Sequence, residues 1–169
     1  MRTFVTGGTG FIGTHLVGRL VQRGYEPHCL VRTTSDTAEL ERMGATLVTG
    51  DVTDKASVLE GMGGCAWVVN LANIYSWWEP DKRVYRTVNV EGTRNVMECA
   101  LETDMSKVVH VSTAYVYGKP ATSPFTEETP VGLVRRSAYT RSKYAGDLIA
   151  WQLHEEKGFP VIRQGRPET

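Results

Sequence analysis

Short apolar runs alternate along the chain with longer stretches whose apolar residues recur at helical spacing. Arg2–Thr6 reads as a first buried strand. A glycine-rich turn follows it. Ile12, Leu16, Val17, Leu20 and Val21 then keep a helical period that Gly24 ends. Glu26–Arg32 is a second strand. Asp36, with Glu39 three residues on, caps a short helix closing near Gly44. Thr46–Thr49 is a short third strand and Thr53–Gly61 a short helix. Ala66–Leu71, apolar but for Asn70, reads as a fourth strand covered on both faces. Arg83–Glu102 is helical, with Val84, Val88, Val96 and Ala100 marking one side in an imperfect period. Lys107–Ser112 is a fifth strand. Gly118–Arg136 holds Pro120, Pro124 and Pro130 without any period and is a loop. Ser137–Lys157 is a helix ended by Gly158, and Phe159–Arg163 opens a sixth strand. The alternation predicts an α/β fold, a doubly wound parallel sheet with helices on both faces and a site at the carboxyl ends of its strands.

Composition narrows this picture. A chain of 169 residues forms one domain, here residues 1–163 with an atypical tail at 164–169. Lys and Arg together number 19, as do Asp and Glu, so there is no basic field to draw nucleic acid as a partner. Cys29, Cys65 and Cys99 lie far apart, with no Cys-x-x-Cys pair and no histidine at metal spacing. They read as buried thiols in a reducing compartment, with no metal site. The chain opens on a strand pattern without a leader, and no run approaches the ~20 apolar residues of a membrane helix. A cytoplasmic protein without a membrane partner is expected.

Candidate chemistry begins at Thr6-Gly7-Gly8-Thr9-Gly10-Phe11-Ile12-Gly13, between the first strand and the first helix. Glycines there permit a tight turn, close approach of a pyrophosphate to backbone N–H groups, and close helix–strand packing. Gly8, Gly10 and Gly13 satisfy one dinucleotide spacing; Gly7, Gly10 and Gly13 satisfy another. No Gly-Lys-Ser/Thr follows, which excludes a P-loop. An acid at the end of the second strand would hold the ribose 2′-hydroxyl of NAD. Arg32 stands there instead, followed by the hydroxyls of Thr33, Thr34 and Ser35. This favours NADP over NAD, although Arg32 could equally stack on adenine without reading a phosphate. Asp51-Val52 would sit beside the adenine; Asp51 could bond its amino group or cap the next helix.

Tyr139 and Lys143 are four residues apart, on one face of a helix. The ammonium is expected to favour the phenolate and lower the tyrosine's pKa, fitting it to move a proton at a hydroxyl or carbonyl. An ordinary surface pair has the same spacing. The fifth strand ends in Ser112 and Thr113, one of which could bond the reacting oxygen.

With these residues in view, the chain resembles the extended short-chain dehydrogenase/reductase family, its epimerases and dehydratases and its dihydroflavonol-reductase-like branch. Four motifs match in order: the glycine turn, Asn89-Val90-Glu91-Gly92-Thr93, Val111-Ser112-Thr113-Ala114-Tyr115-Val116-Tyr117-Gly118, and Tyr139-Thr140-Arg141-Ser142-Lys143. The resemblance implies a Rossmann-like fold and hydride transfer between a nicotinamide cofactor and a small-molecule carbonyl or hydroxyl, a nucleotide sugar or another small carbonyl compound. It implies a catalytic set of Thr113, Tyr139 and Lys143, with Ser112 the neighbour of Thr113. The cofactor would touch Gly7, Thr9, Gly10, Phe11, Ile12, Arg32, Thr33, Asp51, Val52, Leu71, Ala72, Asn73, Ser112, Tyr139 and Lys143. Asn89 matches the family's asparagine near the active site and is counted with the cofactor residues. The resemblance also implies a homodimer through helices 83–102 and 137–157; Tyr144, Leu148 and Trp151 form a row that could face a partner or the chain's own sheet. The family normally continues into a substrate domain, whereas this sequence departs from its pattern after Arg163. With that domain missing, the expectation is cofactor binding with weak or no turnover. A non-catalytic NADP-binding module and an inactive fragment are the alternatives.

Overall fold

The structure is a computed structural model that describes residues 1–119, 124–126, 128–158 and 160–163. Six parallel strands, β1 (Arg2–Thr6), β2 (Glu26–Val31), β3 (Thr46–Thr49), β4 (Trp67–Asn70), β5 (Lys107–His110) and β6 (Val161–Arg163), lie in the order β3-β2-β1-β4-β5-β6. The order reverses between β1 and β4, so a crevice opens there at the carboxyl edge. The helices are α1 (Phe11–Gln22), α2 (Ala38–Arg42), α3 (Lys55–Gly61), α4 (Arg83–Arg86), α5 (Thr93–Glu102) and α6 (Ala138–Lys157).

The period of two along each strand sends successive side chains to opposite faces. Phe4, Leu30, Val68 and Val108 join Val58 of α3, Val96 and Met97 of α5 and Ala150 of α6 in one core. Val5, Cys29 and Val31 join Val17 of α1 and Leu40 of α2 in the other. Both faces are therefore covered, which is why the strands read as apolar runs. All three cysteines are buried free thiols, and burial pushes Cys29 up to about 12. Among the described residues no helix is long and apolar enough to cross a membrane.

Several boundaries differ from the expectation. β2 ends at Val31 and β5 at His110, before the Arg32 and Ser112 that the apolar pattern suggested. For β5 the ladder sets the end, because Asn70, the last residue of β4, pairs with His110. Val111 N still donates to the Asn70 carbonyl at 3.1 Å, and Ser112 and Thr113 then leave the sheet. Asp36 does not cap α2 in the expected way. Its carboxylate accepts from Ala38 N, while Glu39 turns to Arg42 at 2.6 Å instead of reaching back. The start of the sixth strand at Phe159, the tail 164–169 and Pro120 lie outside the described residues.

The imperfect period of Arg83–Glu102 has a cause. Between α4 and α5 the helix continues as a π turn over Thr87–Gly92. One extra residue rotates the following face by about 100°. The π turn lies against α6 so closely that a Cβ on Gly146 would sit 2.6 Å from the Asn89 carbonyl oxygen. Gly146→Ala is expected to destabilise the fold by about 2 kcal/mol, read as a lower midpoint in urea; an unchanged midpoint would show the contact to be slack.

Candidate functional site

The turn after β1 builds the first part of the site. Gly7 has φ +69° and lies against the backbone of Leu71 and Ala72, where a Cβ would come within 2.8 Å of Ala72 N. A Cβ on Gly13 would collide with the Gly7 carbonyl and reach 2.7 Å from Gly8 Cα. Gly8 instead packs its Cα side toward Cys29 and Leu40, within the sheet–helix core. The Gly7–Gly10–Gly13 register is thus the one the backbone requires. α1 has Gly10 at its N-cap, with no side-chain cap and no acid in its first turn, which leaves its N-terminal amides open to an anion.

A cavity of about 670 Å³ runs from this turn along the carboxyl edge. Gly7, Thr9, Gly10, Phe11 and Ile12 line one part, and Arg32, Asp51 and Val52 another. Leu71, Ala72 and Asn73 form its floor, with Ser112, Thr113, Tyr139 and Lys143 at the remaining wall. Two expected residues are placed elsewhere. Thr33 is exposed and does not line the cavity, whereas Ser35 does. Asn89 is buried outside the lining: its Oδ1 accepts from Ile74 N at 2.7 Å and its Nδ2 donates to Ser142 Oγ at 2.9 Å. It shapes the loop after β4 and ties it to α6, and is a positioning residue. Asp51 does not cap α3; that falls to Asp54, while Asp51 Oδ1 accepts from the amide and hydroxyl of Thr53. Residues not counted among the expected cofactor contacts also line the cavity, among them Leu30, Ile74, Tyr75 and Val88.

The cavity suits a dinucleotide. Its glycine cradle would be filled by a Cβ, and an open helix N-terminus meets it. Asn73 adds a buried Oδ1 that has no donor, although its Nδ2 is held by the Leu71 carbonyl. An amide group on a ligand would supply that missing donor. Among the described residues no group of His, Cys, Asp and Glu could hold a metal ion.

At the far wall Tyr139 is only 3% exposed, with the Thr113 hydroxyl close enough to its phenol to favour the phenolate. Tyr75 and Trp77 meet the Tyr139 ring edge-on at 5.4 and 5.7 Å, and Trp77 also meets Tyr115 at 5.0 Å. Lys143, 4% exposed, donates from Nζ to the Val111 carbonyl at 3.0 Å. The expected lowering of the tyrosine does not hold. Burial pushes the Tyr139 phenol above its ordinary value, the Thr113 hydrogen bond opposes this, and Tyr75, Tyr115 and Asp147 add to it. The Lys143 ammonium is directed at Val111, and its own burial pushes it below its ordinary range. Tyr139 is therefore a proton donor through neutral pH. Its raised pKa stabilises the fold below the ordinary tyrosine range, and that contribution is lost as pH rises through the folded value. In a phenolate-absorbance titration the last tyrosine to ionise before alkaline unfolding should vanish in Tyr139→Phe; loss of an early-titrating one instead would contradict this environment.

Residues 3–165 match the model of the NAD dependent epimerase/dehydratase family. A "Putative dihydroflavonol 4-reductase" of Synechocystis sp. is 34% identical over 165 residues, which are 96% of this chain and 46% of that protein. Human 3 beta-hydroxysteroid dehydrogenase type 7 is 34% identical over 94% of this chain and 47% of its own length. Among solved structures, the UDP-glucose 4-epimerase of Bifidobacterium longum, in complex with NAD+ and UDP, superposes with a TM-score of 0.84 at 27% identity, over 96% of this chain and 52% of that one. The dTDP-glucose 4,6-dehydratase of Streptomyces venezuelae, with NAD bound, gives 0.82 at 31% identity, over 96% and 54%. The chain spans about half the length of the relatives it matches. With its sheet order, glycine register and Thr113–Tyr139–Lys143 wall, this chain belongs to the NAD dependent epimerase/dehydratase family.

Proposed function

We propose that this chain supplies the cofactor-binding and proton-transfer parts of an NADP-dependent carbonyl reductase. The observation that carries this reading is the Tyr139–Thr113 hydroxyl pair on the wall of the same cavity that the glycine turn opens. A bound nicotinamide dinucleotide would supply the hydride. Tyr139 gives its proton to the substrate oxygen as the carbonyl carbon is reduced, so carbonyl, hydride and proton become an alcohol. Thr113 orients that oxygen and the phenol together. Lys143 holds the adjacent backbone at Val111 and places a positive charge beneath the wall. The rings of Tyr75, Trp77 and Tyr115 around the phenol favour a flat, apolar carbonyl substrate.

A second reading has its own observation. Lys119, Arg135 and Arg136 line a neighbouring cavity of about 700 Å³ beside Trp77 and Tyr115, which would suit the diphosphate of a nucleotide sugar. NADPH consumption measured with a panel of cyclic ketones and 4-keto nucleotide sugars separates the two. Turnover of the ketones, weak with this chain alone and abolished by Tyr139→Phe with NADPH binding intact, is the expected result. Turnover of the nucleotide sugars alone would favour the second reading.

Arg32 at the cavity wall favours a 2′-phosphate. Arg32→Ala should weaken NADPH by about tenfold and leave NADH nearly unchanged, as measured by calorimetry; equal losses for both would remove the basis for NADP. We also propose a homodimer through helices 83–102 and 137–157, with Tyr144, Leu148 and Trp151 of α6 at the contact, of which Leu148 is exposed. Light scattering should then give twice the chain mass, reduced to one by Leu148→Glu; a monomeric wild type would refute the pairing.

A further inference from the structure

We propose that Asp147 is a positioning residue for the Tyr139–Lys143 pair: its carboxylate clamps the end of β5, which carries the partners of both groups, and it stands as their buried counter-charge. This rests on reading Tyr139 and Lys143 as the proton-transfer pair.

Asp147 has 0% exposure, and the proton transfer described above does not use it. It follows Lys143 by one helical turn, on the same face of α6. Both of its oxygens are engaged. Oδ2 accepts from Ser112 Oγ at 2.5 Å, and Oδ1 lies 3.1 Å from His110 Nε2. His110 and Ser112 are alternate residues, so in extended chain they project to the same side. Between them, the Val111 carbonyl turns to Lys143. Directly after them, the Thr113 hydroxyl lies beside the Tyr139 phenol and favours its ionisation. Two adjacent turns of α6 thus hold four consecutive residues, and the carboxylate fixes the two that flank the Val111 carbonyl.

The chain of bonds continues beneath the cofactor cavity. His110 Nδ1 lies 3.2 Å from Asn70 Nδ2, and Asn70 Oδ1 accepts from Thr6 Oγ1 at 2.6 Å. Thr6 Oγ1 accepts from Ala72 N, the amide against which Gly7 packs. This amide orientation makes Nδ1 an acceptor and puts the ring proton on Nε2, facing Asp147. His110 thus meets the carboxylate through a hydrogen bond, and Lys143 stands one turn away on α6, where the carboxylate favours its ammonium form.

The charge has consequences of opposite kind for its two neighbours. Asp147 supports the Lys143 ammonium against burial and opposes ionisation of the Tyr139 phenol. The titratable groups around the pair are His110 from β5, Tyr75 from the loop after β4, and Tyr115 from the turn after β5. Removing the carboxylate without opening the site lowers the pH at which both groups lose their protons. Merely loosening the packing does something different: it lets water in and returns Lys143 upward, toward its ordinary value.

The test is Asp147→Asn in the 169-residue chain, with lysine ε-carbon NMR shifts followed against pH and Lys143 assigned by its loss in Lys143→Met. The expected result is a lower Lys143 midpoint than in the wild type, together with earlier ionisation of Tyr139. Asp147→Glu, which keeps the charge, should leave Lys143 closer to the wild type. A Lys143 midpoint that stays or rises in Asp147→Asn overturns the proposal, as does an equal fall in both variants. If Asp147→Asn does not fold with saturating NADP+, Asp147→Glu decides alone: a midpoint lowered by the charge-conserving change overturns the proposal, and a preserved one supports it. NADPH binding by the wild type tests the functional reading separately. No binding sinks that reading while the Lys143 titration still stands on its own.

Discussion

The end of β5 is held to α6, and the functional wall depends on that attachment. Lys143 Nζ meets the Val111 carbonyl, Thr113 meets the Tyr139 phenol, and Ser112 and His110 meet Asp147. The contacts exist because β4 and β5 end at one level, so that the chain leaves the ladder after Val111. A buried ammonium and a buried carboxylate are each expensive alone. Set one helical turn apart and hydrogen-bonded to the same strand end, they are tolerated and they fix its geometry.

The opposite wall rests on a different constraint, the close approach of backbone to backbone. Gly7 against Ala72 and Gly13 against Gly8 bring β1, β4 and α1 together without intervening side chains. The same closeness leaves the first amides of α1 uncapped and facing the cavity. Thr6 and Asn70 link this wall to His110, so the cradle and the proton-transfer wall share one buried polar path. The π turn adds the third support. It brings Asn89 over Gly146, where its amide holds Ile74 on one side and Ser142 on the other.

Much of this was legible in the chain. The alternation of apolar runs and amphipathic stretches gave the order of strands and helices, because a strand covered on both faces has to be apolar throughout. The glycine turn and the Tyr139–Lys143 spacing gave the position of both walls. Where the reading fell short, the cause was a competing partner. Glu39 had Arg42 within reach and did not complete a cap. Asp51 found the Thr53 amide and hydroxyl, leaving α3 to Asp54. The π turn blurred the helical period that would have placed Asn89. Asp147 stood at the same spacing from Lys143 as Tyr139, yet nothing in the linear pattern indicated that His110 and Ser112 would meet it.

By itself, then, the sequence determined the fold class, the place of the glycine turn and the identity of the residues that could move a proton. These follow from local rules: periodicity, backbone freedom and spacing along one helix. Tertiary structure decided what each residue does. Thr113 serves the phenol while Ser112 serves Asp147, Asn89 shapes a loop outside the cavity, and Tyr139 keeps its proton instead of losing it readily. Such roles depend on burial and on partners distant in the chain. A phenol's proton affinity is set by the solvent it has lost and the charges around it, and neither exists until the strand end and the helix have met.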